Sequence, residues 1–325
     1  MDAMLPDRTD LTICFAHVAY RMEEAFARRA TGLRSFQVVS RDELVRRLPE
    51  ADVLVVSGLW RNDLLPHAPK LRFIQSISAG LDQYGLDGLR ERGIRLASAQ
   101  GANERAVSEH AMALILALAR KLPEARDNQA RHAFRPMIGD PALREEELGG
   151  KTLLVVGIGR IGSRLAKLAK AFDMRVIGVR RDPSAGSGGA DSIHAIAELP
   201  ELLPQADVVA LTCPLTPQTE NIIDAAALGR MKRTAWLVNV ARGRCVNEPD
   251  LAAALRAGTI AAAALDTFVA EPLPTDSPLW DMPNVLITPH TAGETERYEN
   301  NVLDVLLENL GRLWRGEEAL RNGVV

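Results

Sequence analysis

The stretch TLLVVGIGRIGSRLAKLAKAF, residues 152–172, decides the fold of the second half of the chain. An apolar run typical of a buried strand leads into the pattern GxGxxG, and an amphipathic helical pattern follows directly. The glycines are Gly157, Gly159 and Gly162. Glycine allows a tight turn and a close backbone approach, while the amides at the start of the helix can face a pyrophosphate. We therefore predict a dinucleotide-binding turn. The alternative is that the glycines only permit close packing of helix and strand.

Apolar runs alternate with helix-like stretches on both sides of this turn. The runs in the first block are LTICFA, FQVV, DVLVVS, RFIQSI and IRLA, between residues 11 and 97. Those in the second block are TLLVV, MRVIGV, DVVALT, AWLVNV, AAALD and NVLIT, between residues 152 and 288. Strands interleaved with helices predict parallel sheets covered on both faces. The fold class is α/β, with two doubly wound parallel-sheet domains, which suits a chain of 325 residues.

Three further segments complete the predicted organisation. Residues 109–122 read as a buried helix near a domain junction, because apolar positions cover most of its surface. Residues 123–150 form a polar connector with little regular pattern. Residues 294–316 carry apolar side chains at the spacing of an amphipathic helix, and we expect this helix to dock on the first block.

Composition argues against several classes of partner. The formal net charge is −3 with 25% charged residues, so we expect no nucleic-acid partner. The widely spaced Cys14, Cys213 and Cys245 suggest neither a metal site nor disulfides. The N-terminal residues lack the pattern of a secretory signal, and the longest apolar run, residues 111–119, is too short for a membrane span. We therefore expect a cytoplasmic protein with no membrane partner.

Two arginines stand where a dinucleotide-binding domain often carries an acid. Arg180 and Arg181, in VIGVRRDP, lie about 20 residues after the glycine turn, where a carboxylate would bind the adenosine ribose. A guanidinium can instead form a charge-assisted fork with a 2′-phosphate. We therefore favour NADP(H) as cofactor, with NAD(H) possible. Surface arginines are often only solvated, however, and Asp182 could supply the acid if the strand ended two residues later.

Three polar residues follow consecutive strands of the second block. Arg242 follows AWLVNV, Glu271 follows AAALD, and His290 follows NVLIT. Ligands of open parallel sheets bind outside the carboxyl ends of the strands, so we expect these candidate catalytic residues to converge there.

Their chemical types suit the reduction of a 2-oxo acid. Histidine titrates nearest physiological pH, and a neighbouring carboxylate favours its protonated form, so Glu271 and His290 make a proton donor. Arg242 can bind a carboxylate through two parallel hydrogen bonds. Taken singly, His290 could be only a loop residue, and Arg242 and Glu271 would read as surface residues. No role is assigned to the remaining histidines, His17, His67, His110, His132 and His194.

Several stretches resemble one family, the D-isomer-specific 2-hydroxyacid dehydrogenases. They are GIGRIG, CPLTPQTENII, MKRTAWLVNVARG, AALDTFVAEPLP and NVLITPHTAG, and the resemblance covers about residues 70–323. It implies a Rossmann cofactor domain, residues 101–290, inserted into a flavodoxin-like substrate domain, residues 1–100 and 291–325. It also implies domain closure over the ligands, and a homodimer with residues 114–150 at its interface.

The resemblance also implies site residues. Arg242, Glu271 and His290 match the family's catalytic arginine, glutamate and histidine, with Arg242 also binding substrate and His290 also beside the cofactor. Backbone amides at Ala79 and Gly80, in SISAGLD, match the loop that holds the substrate carboxylate. The other implied cofactor contacts are Arg160 and Ile161 at the pyrophosphate, Pro214 and Thr219 on the adenosine side, and Val240 and Asp266 at the nicotinamide.

Departures from the family pattern bear on the subfamily. The missing acid at Arg180 resembles the NADPH-using glyoxylate and hydroxypyruvate reductases, whereas Phe134 stands where those reductases commonly carry tryptophan. Glu271 argues against formate dehydrogenases, which pair their histidine with glutamine. The end of the chain at Val325 argues against the longer phosphoglycerate dehydrogenases.

The expected activity is reduction of a small 2-oxo acid to a D-2-hydroxy acid, with glyoxylate or hydroxypyruvate favoured. One alternative is a nucleotide-sensing, corepressor-like binding protein of the same family, and another is a phosphite dehydrogenase. Trp60 could line the substrate pocket or belong to the core or an interface.

Overall fold

The computed structural model describes residues 5–325, which divide into two compact units. One unit consists of the chain up to Asn103 together with Thr295–Val325, and the other consists of Glu104–Glu294. The sequence-based domain boundaries, after residues 100 and 290, fall three and four residues earlier than these divisions. The assignment of substrate and cofactor roles to the two domains stays a prediction.

The first unit is built on a parallel sheet of five strands. Its strands are β1 Thr12–Ala16, β2 Arg34–Val38, β3 Val53–Val56, β4 Phe73–Ser76 and β5 Arg95–Ala97. They lie in the order β2-β1-β3-β4-β5, and every pairing is parallel. This is the strand order of flavodoxin-like domains, in which the chain winds outward on both sides of the first strand.

Four helices accompany this sheet, numbered along the chain with those of the second unit. They are α1 Met22–Ala27, α2 Arg41–Arg47, α3 Leu86–Glu91 and α10 Tyr298–Trp314. The terminal helix α10 buries Val302, Leu303 and Leu306 in the same core as Phe15 and Phe26. The helix therefore packs its apolar side on the first block, as its amphipathic pattern predicts.

The second unit contains a parallel sheet of seven strands. They are β6 Thr152–Val156, β7 Arg175–Arg180, β8 Ser192–Ala195, β9 Val208–Leu211, β10 Trp236–Asn239, β11 Ala262–Leu265 and β12 Val285–Ile287. The order is β12-β11-β10-β9-β6-β7-β8, with β6 at the point where the winding reverses. That is the Rossmann order extended by one strand. The predicted class of two doubly wound α/β domains is confirmed.

The helices of this unit include the predicted one after the glycine turn, and the helix predicted at residues 109–122 begins five residues and ends three residues earlier than expected. The helices are α4 Glu104–Ala119, α5 Leu122–Ala130, α6 Arg160–Ala171, α7 Leu199–Leu202, α8 Ala225–Arg230 and α9 Glu248–Arg256. Helix α5 lies in the predicted connector and has no buried residue, so it lacks the apolar periodicity that would mark it. Strand β8 was also missed, because all four of its residues are only partly buried.

Trp60 belongs to the core of the first unit. Its side chain is fully buried, its ring stacks on that of Tyr84 at 5.9 Å between centroids, and its Nε1 donates to Asn62 Oδ1 at 3.3 Å. The structure therefore favours a core position for Trp60 over a position in the lining of the substrate pocket. Among residues 5–325, we find no helix with the length and apolar character to cross a membrane.

Candidate active site

The three candidate catalytic residues lie on loops that leave adjacent strands. Strands β10, β11 and β12 are neighbours in the sheet, and their carboxyl ends are at the same edge. Arg242 comes three residues after the end of β10, Glu271 six after β11, and His290 three after β12. Parallel pairing therefore brings three loops that are distant in sequence to one edge.

A short hydrogen bond joins His290 to Glu271. The distance from His290 Nδ1 to Glu271 Oε2 is 2.7 Å, and the other carboxylate oxygen, Oε1, accepts a hydrogen bond from the Phe268 amide at 2.9 Å. The side chain of His290 is 46% exposed, although its Nδ1 is engaged with Glu271. The carboxylate thus holds the imidazole through its Nδ1 edge.

This pairing shifts the pKa values of both groups. The hydrogen bond that His290 donates to Glu271 raises the pKa of His290 above its ordinary value of 6.5, although burial partly opposes it. Burial opposes ionisation of Glu271, but the hydrogen bonds from His290 and the Phe268 amide outweigh it, so the pKa of Glu271 falls below 4.5. Both shifts favour the ion pair of an imidazolium and a carboxylate over the two neutral groups.

Arg242 is a half-buried neighbour of this pair. Its positive charge helps to lower the pKa of Glu271 and opposes protonation of His290. Its Nη1 donates to the Ala241 carbonyl at 2.7 Å. The buried Asn239 braces the turn from both sides, donating to the Arg242 carbonyl at 3.0 Å and accepting from the Ala241 amide at 3.0 Å. The structure thus brings Arg242, Glu271 and His290 together.

Gly243 is a site residue that sequence reasoning missed. A Cβ atom at this position would lie 1.9 Å from the carbonyl carbon of Phe268 and 2.3 Å from the Val269 nitrogen. The backbone after Arg242 therefore runs directly against the loop that leads to Glu271, and only glycine leaves room for this approach. The one available signal was a glycine immediately after a candidate catalytic residue.

The glycine turn between β6 and α6 has the geometry of a dinucleotide site. Gly157 has φ +105°, and a Cβ there would lie 2.5 Å from the Cys213 nitrogen. A Cβ on Gly162 would lie 2.4 Å from the Gly157 carbonyl oxygen. Gly159, at the N-terminus of α6, has open space in front of it instead. Arg160 and Ile161 lie in the first turn of the helix, where the backbone amides point toward the N-terminal end, so this turn fits a pyrophosphate.

The remaining predicted cofactor contacts border this turn and the edge of the sheet. Thr219 is buried and donates from Oγ1 to the Pro214 carbonyl at 2.6 Å, while the Thr216 amide donates to the same hydroxyl at 2.8 Å. Val240 is buried, and its amide donates to the Leu211 carbonyl at 3.4 Å. These bonds shape the loops, while the contacts to a cofactor stay predictions.

The end of β7 bears on the arginine question. The strand ends at Arg180, whose Nη1 donates to the carbonyls of Ala185 and Gly186 at 3.0 Å each. Arg181 is exposed. Asp182 accepts hydrogen bonds from the amide and hydroxyl of Ser184, which lower its pKa. The strand therefore ends in an arginine. The carboxylate of Asp182, two residues later, accepts hydrogen bonds within the turn that follows the strand.

Asp266 anchors the loop that carries His290. Its buried carboxylate accepts from Thr288 Oγ1 at 2.6 Å and from the amides of Thr291 and Ala292 at 3.0 Å each. His110 Nε2 lies 3.0 Å from the same Thr288 hydroxyl. The sequence left His110 without a role and predicted a nicotinamide contact for Asp266, which stays a prediction. Nothing in the local pattern marked either of these loop contacts.

The predicted substrate amides lie on the other unit. Ala79 and Gly80 follow β4, with Ala79 exposed and Gly80 partly exposed. The loop is held by the Ala99 amide, which donates to the Ser78 carbonyl at 3.0 Å, and by a 2.5 Å contact between the hydroxyls of Ser57 and Ser78. Binding of substrate by these amides stays a prediction.

Comparison with known proteins now adds to this geometry. The family model described as "D-isomer specific 2-hydroxyacid dehydrogenase, NAD binding domain" matches residues 112–292. The chain belongs to the D-isomer-specific 2-hydroxyacid dehydrogenase family. The resemblance carried by the five sequence stretches is therefore confirmed.

Individual members of this family differ in their names. The chain is 35% identical to glyoxylate/hydroxypyruvate reductase B of Yersinia enterocolitica, over 91% of this chain and 90% of that protein. It is 37% identical to a D-3-phosphoglycerate dehydrogenase of Methanocaldococcus jannaschii, over 89% of this chain and 54% of that protein. The chain thus spans about half the length of the phosphoglycerate dehydrogenases that it matches.

A solved structure of the family shares the whole fold. The D-isomer specific 2-hydroxyacid dehydrogenase family protein from Aeromonas salmonicida has a TM-score of 0.85 to this chain at 31% identity. The match covers 97% of this chain and 99% of that one. The fold of both units is therefore that of the family.

Proposed function

We propose that the protein is an NAD(P)-dependent D-2-hydroxyacid dehydrogenase that acts as a reductase of small 2-oxo acids. The observation that carries the proposal is the 2.7 Å hydrogen bond between His290 and Glu271, with the charge of Arg242 acting on both. A cation, an acid and a carboxylate that keeps the acid charged are the groups that this reduction needs.

In the proposed reaction, His290 is the proton donor. Its Nδ1 is engaged with Glu271, so Nε2 is the nitrogen that gives a proton to the carbonyl oxygen as that oxygen gains negative charge. Glu271 stabilises the imidazolium before the transfer and keeps the ring in place. In the reverse direction, neutral His290 accepts the proton of the hydroxyl group.

Arg242 has the chemistry to hold an anionic substrate. Its guanidinium can bind a carboxylate or a polarised carbonyl oxygen through charge-assisted hydrogen bonds. Asn239 and the packing of Gly243 on Phe268 hold the backbone from which it extends. A rigidly held cation stabilises developing charge without reorganisation during the reaction.

The turn at Gly157, Gly159 and Gly162 would hold the dinucleotide, together with the first amides of α6. A bound reduced nicotinamide supplies the hydride. We propose that Pro214, Thr219, Val240 and Asp266 complete the cofactor site in the way that the family resemblance implies.

The favoured substrates are glyoxylate and hydroxypyruvate. Support comes from the glyoxylate/hydroxypyruvate reductase at 35% identity, which this chain matches over nearly its full length. The test is a panel of 2-oxo acids, 3-phosphohydroxypyruvate included, assayed with NADPH and NADH. We expect reduction of glyoxylate or hydroxypyruvate with the highest kcat/KM. Turnover of none of the panel would contradict the proposal, and a preference for the phosphorylated acid would contradict the favoured substrate.

We propose that NADPH is preferred over NADH. The support is an arginine at the tip of β7, a position from which a carboxylate would repel a 2′-phosphate, with exposed Arg181 beside it. The same assay panel measures the preference as a ratio of kcat/KM values. A higher value with NADH would contradict it.

We also propose a homodimer that uses residues 114–150. In this segment α5 buries none of its residues, and Leu122, Phe134, Met137 and Leu143 are exposed apolar side chains. An exposed apolar segment of this kind favours association. Sedimentation equilibrium should give twice the 35.4 kDa chain mass, and a monomer at micromolar concentration would contradict the proposal.

The proposed location is the cytoplasm. Its support is the cysteine content, since Cys14, Cys213 and Cys245 are all free thiols buried in the second and first units. Fractionation of cells that express the chain should recover it with cytoplasmic markers, and recovery with an extracytoplasmic fraction would contradict this location.

A further inference from the structure

A side-chain link runs from helix α4 to the loop that carries His290. His110, in α4, places Nε2 3.0 Å from Thr288 Oγ1 and 3.5 Å from Asp266 Oδ1. We infer that His110 is a positioning residue for His290, acting through a hydrogen bond to the Thr288 hydroxyl. This inference rests on the proposed function, because it concerns the proposed proton donor. All of these residues belong to the second unit.

The direction of the hydrogen bonds follows from the groups involved. An ionised carboxylate has only acceptor oxygens. The carboxylate of Asp266 accepts hydrogen bonds from the amides of Thr291 and Ala292. The 2.6 Å contact with Thr288 therefore requires the threonine hydroxyl to donate to Asp266. A hydroxyl has one hydrogen, so Thr288 Oγ1 must accept from His110. His110 is thereby assigned the tautomer with a hydrogen on Nε2.

The reverse arrangement leaves an unfavourable contact. If Thr288 donated its hydrogen to His110, two oxygen lone pairs would face each other across the 2.6 Å between Thr288 and Asp266. The hydrogen on His110 Nε2 therefore also fixes the direction of the second hydrogen bond. With His110 as donor, the single hydrogen of Thr288 is donated to the carboxylate of Asp266.

Thr288 is the point at which the catalytic loop is tied to the sheet. Its amide donates to the Leu265 carbonyl at 2.9 Å, and its own carbonyl accepts from the His290 amide at 3.0 Å. His290 has φ +55°, a left-handed conformation that non-glycine residues adopt only where their surroundings hold it. Asp266 binds Thr288 before His290 and Thr291 and Ala292 after it, so the loop is held on both sides.

Helix α4 gives this link a rigid base. Its buried residues include Ala111, Leu114 and Ile115, which share a core with strands of the second sheet. His110 itself is 24% exposed and contacts the loop through Thr288, so its role is to position another residue. The adjacent Glu109 forms an ion pair with Arg164 at 3.3 Å, while the His110 ring contacts Thr288.

The test compares two substitutions of similar size. His110→Gln keeps an N–H donor near the position of Nε2, and His110→Leu fills the space without a donor. Each purified full-length variant is assayed for kcat and KM, and the pKa of His290 is measured in the cofactor-free protein from its ¹³Cε1 chemical shift. We expect His110→Leu to lower kcat by about tenfold or more through misplacement of the proton donor, with little change in KM for the dinucleotide.

A merely structural role predicts a different pattern. On our inference, His110→Leu also lowers the pKa of His290, because the Nδ1 contact with Glu271 loosens, and His110→Gln restores both kcat and the pKa toward the wild-type values. An unchanged kcat and pKa in His110→Leu would overturn the inference. Equal impairment in the leucine and glutamine variants would also overturn it, because the hydrogen bond would then not be the feature that matters.

A second pair of variants protects the test against a folding failure. Thr288→Val removes the hydroxyl with little change of shape, and Thr288→Ser retains it. Thr288→Val should reproduce the loss, Thr288→Ser should not, and the double variant with His110→Leu should be no worse than the poorer single one. Additive losses would contradict a shared link.

The positioning role of His110 and the proposed function can fail separately. If the wild-type protein reduces no 2-oxo acid, the proposed function fails, but the NMR titration of His290 still reports on the link from His110. If the protein is active and the titration does not respond to His110→Leu, the positioning role fails and the proposed function stands.

Discussion

The glycine turn at residues 157–162 and the catalytic edge formed by Arg242, Glu271 and His290 are built in opposite ways. The turn comes from one continuous stretch, and it offers backbone amides. The edge comes from three separate loops, and it offers side chains that are held by long-range contacts, such as Gly243 against Phe268 and Asp266 to Thr288. The groups that face a pyrophosphate can thus come from one stretch of the sequence, whereas an oriented proton donor draws on side chains from distant parts of the chain.

The largest expected effect separates chemistry from cofactor binding. His290→Ala should lower kcat for 2-oxo acid reduction by about 10²–10⁴-fold, since it removes the proton donor. Dinucleotide affinity, measured by fluorescence titration or calorimetry, should change far less than kcat, because the glycine turn is untouched and His290 is only one of the proposed cofactor contacts. His67→Ala, an exposed histidine of the first unit, is the matched control. Retained turnover in His290→Ala would remove this residue from the mechanism.

A smaller effect is expected at the tip of β7, on the binding side of the comparison. Replacing Arg180 and Arg181 by alanine should lower the ratio of kcat/KM with NADPH to that with NADH by roughly 10–100-fold, the range of one or two charge-assisted hydrogen bonds. Arg175→Ala, at the opposite end of the same strand, should leave the ratio unchanged. An unaltered ratio in the double variant would show that these arginines do not select the cofactor.

Glu271→Gln tests the electrostatic part of the catalytic edge. Loss of the carboxylate should lower the pKa of His290, so reduction near pH 7 should fall by about tenfold for each pKa unit lost once that pKa lies below the assay pH. The pH dependence of kcat/KM measures this directly. A variant whose pH profile matches the wild type would contradict the pairing.

The smallest effect concerns packing between the loops. Gly243→Ala should lower the free energy of unfolding by about 1–3 kcal/mol, because its Cβ would overlap the Phe268 backbone. Gly229→Ala, in α8 with nothing within 4 Å of the added Cβ, is the control and should unfold at the wild-type temperature or slightly above it. Thermal unfolding distinguishes the two, and equal melting temperatures would show that the loops can move apart without cost.

The fold was largely predictable because its signals are local. Continuous apolar strands such as β6 and β9 are buried throughout, and the amphipathic pattern of α10 reaches the core as expected. Strand β8 and helix α5 were not predicted, because neither contains a fully buried residue and hydrophobic periodicity therefore carries no information about them. Hydrophobic periodicity predicts an element only when one side of that element is buried, so weakly buried elements leave no such pattern in the sequence.

The candidate site was predictable to the extent that it follows strand ends. Arg242, Glu271 and His290 were accessible to that reasoning, whereas the contact of His110 with Thr288 was not, since 178 positions separate the two residues. The partners of Asp266, and the approach of Gly243 to Phe268, likewise depend on how loops meet in space. Residue type and position along a strand do not specify such contacts.

The most direct test of proton transfer by His290 is the pH dependence of the wild-type enzyme in both directions. The hydrogen bond that His290 donates to Glu271 raises the pKa of His290 from its ordinary value of 6.5. We expect kcat/KM for oxo acid reduction to be maximal below that raised pKa and to fall as pH rises through it. Oxidation of the hydroxy acid should rise through the same pKa. Profiles that are flat, or that change in the same direction for both reactions, would contradict a single histidine that gives and takes the proton.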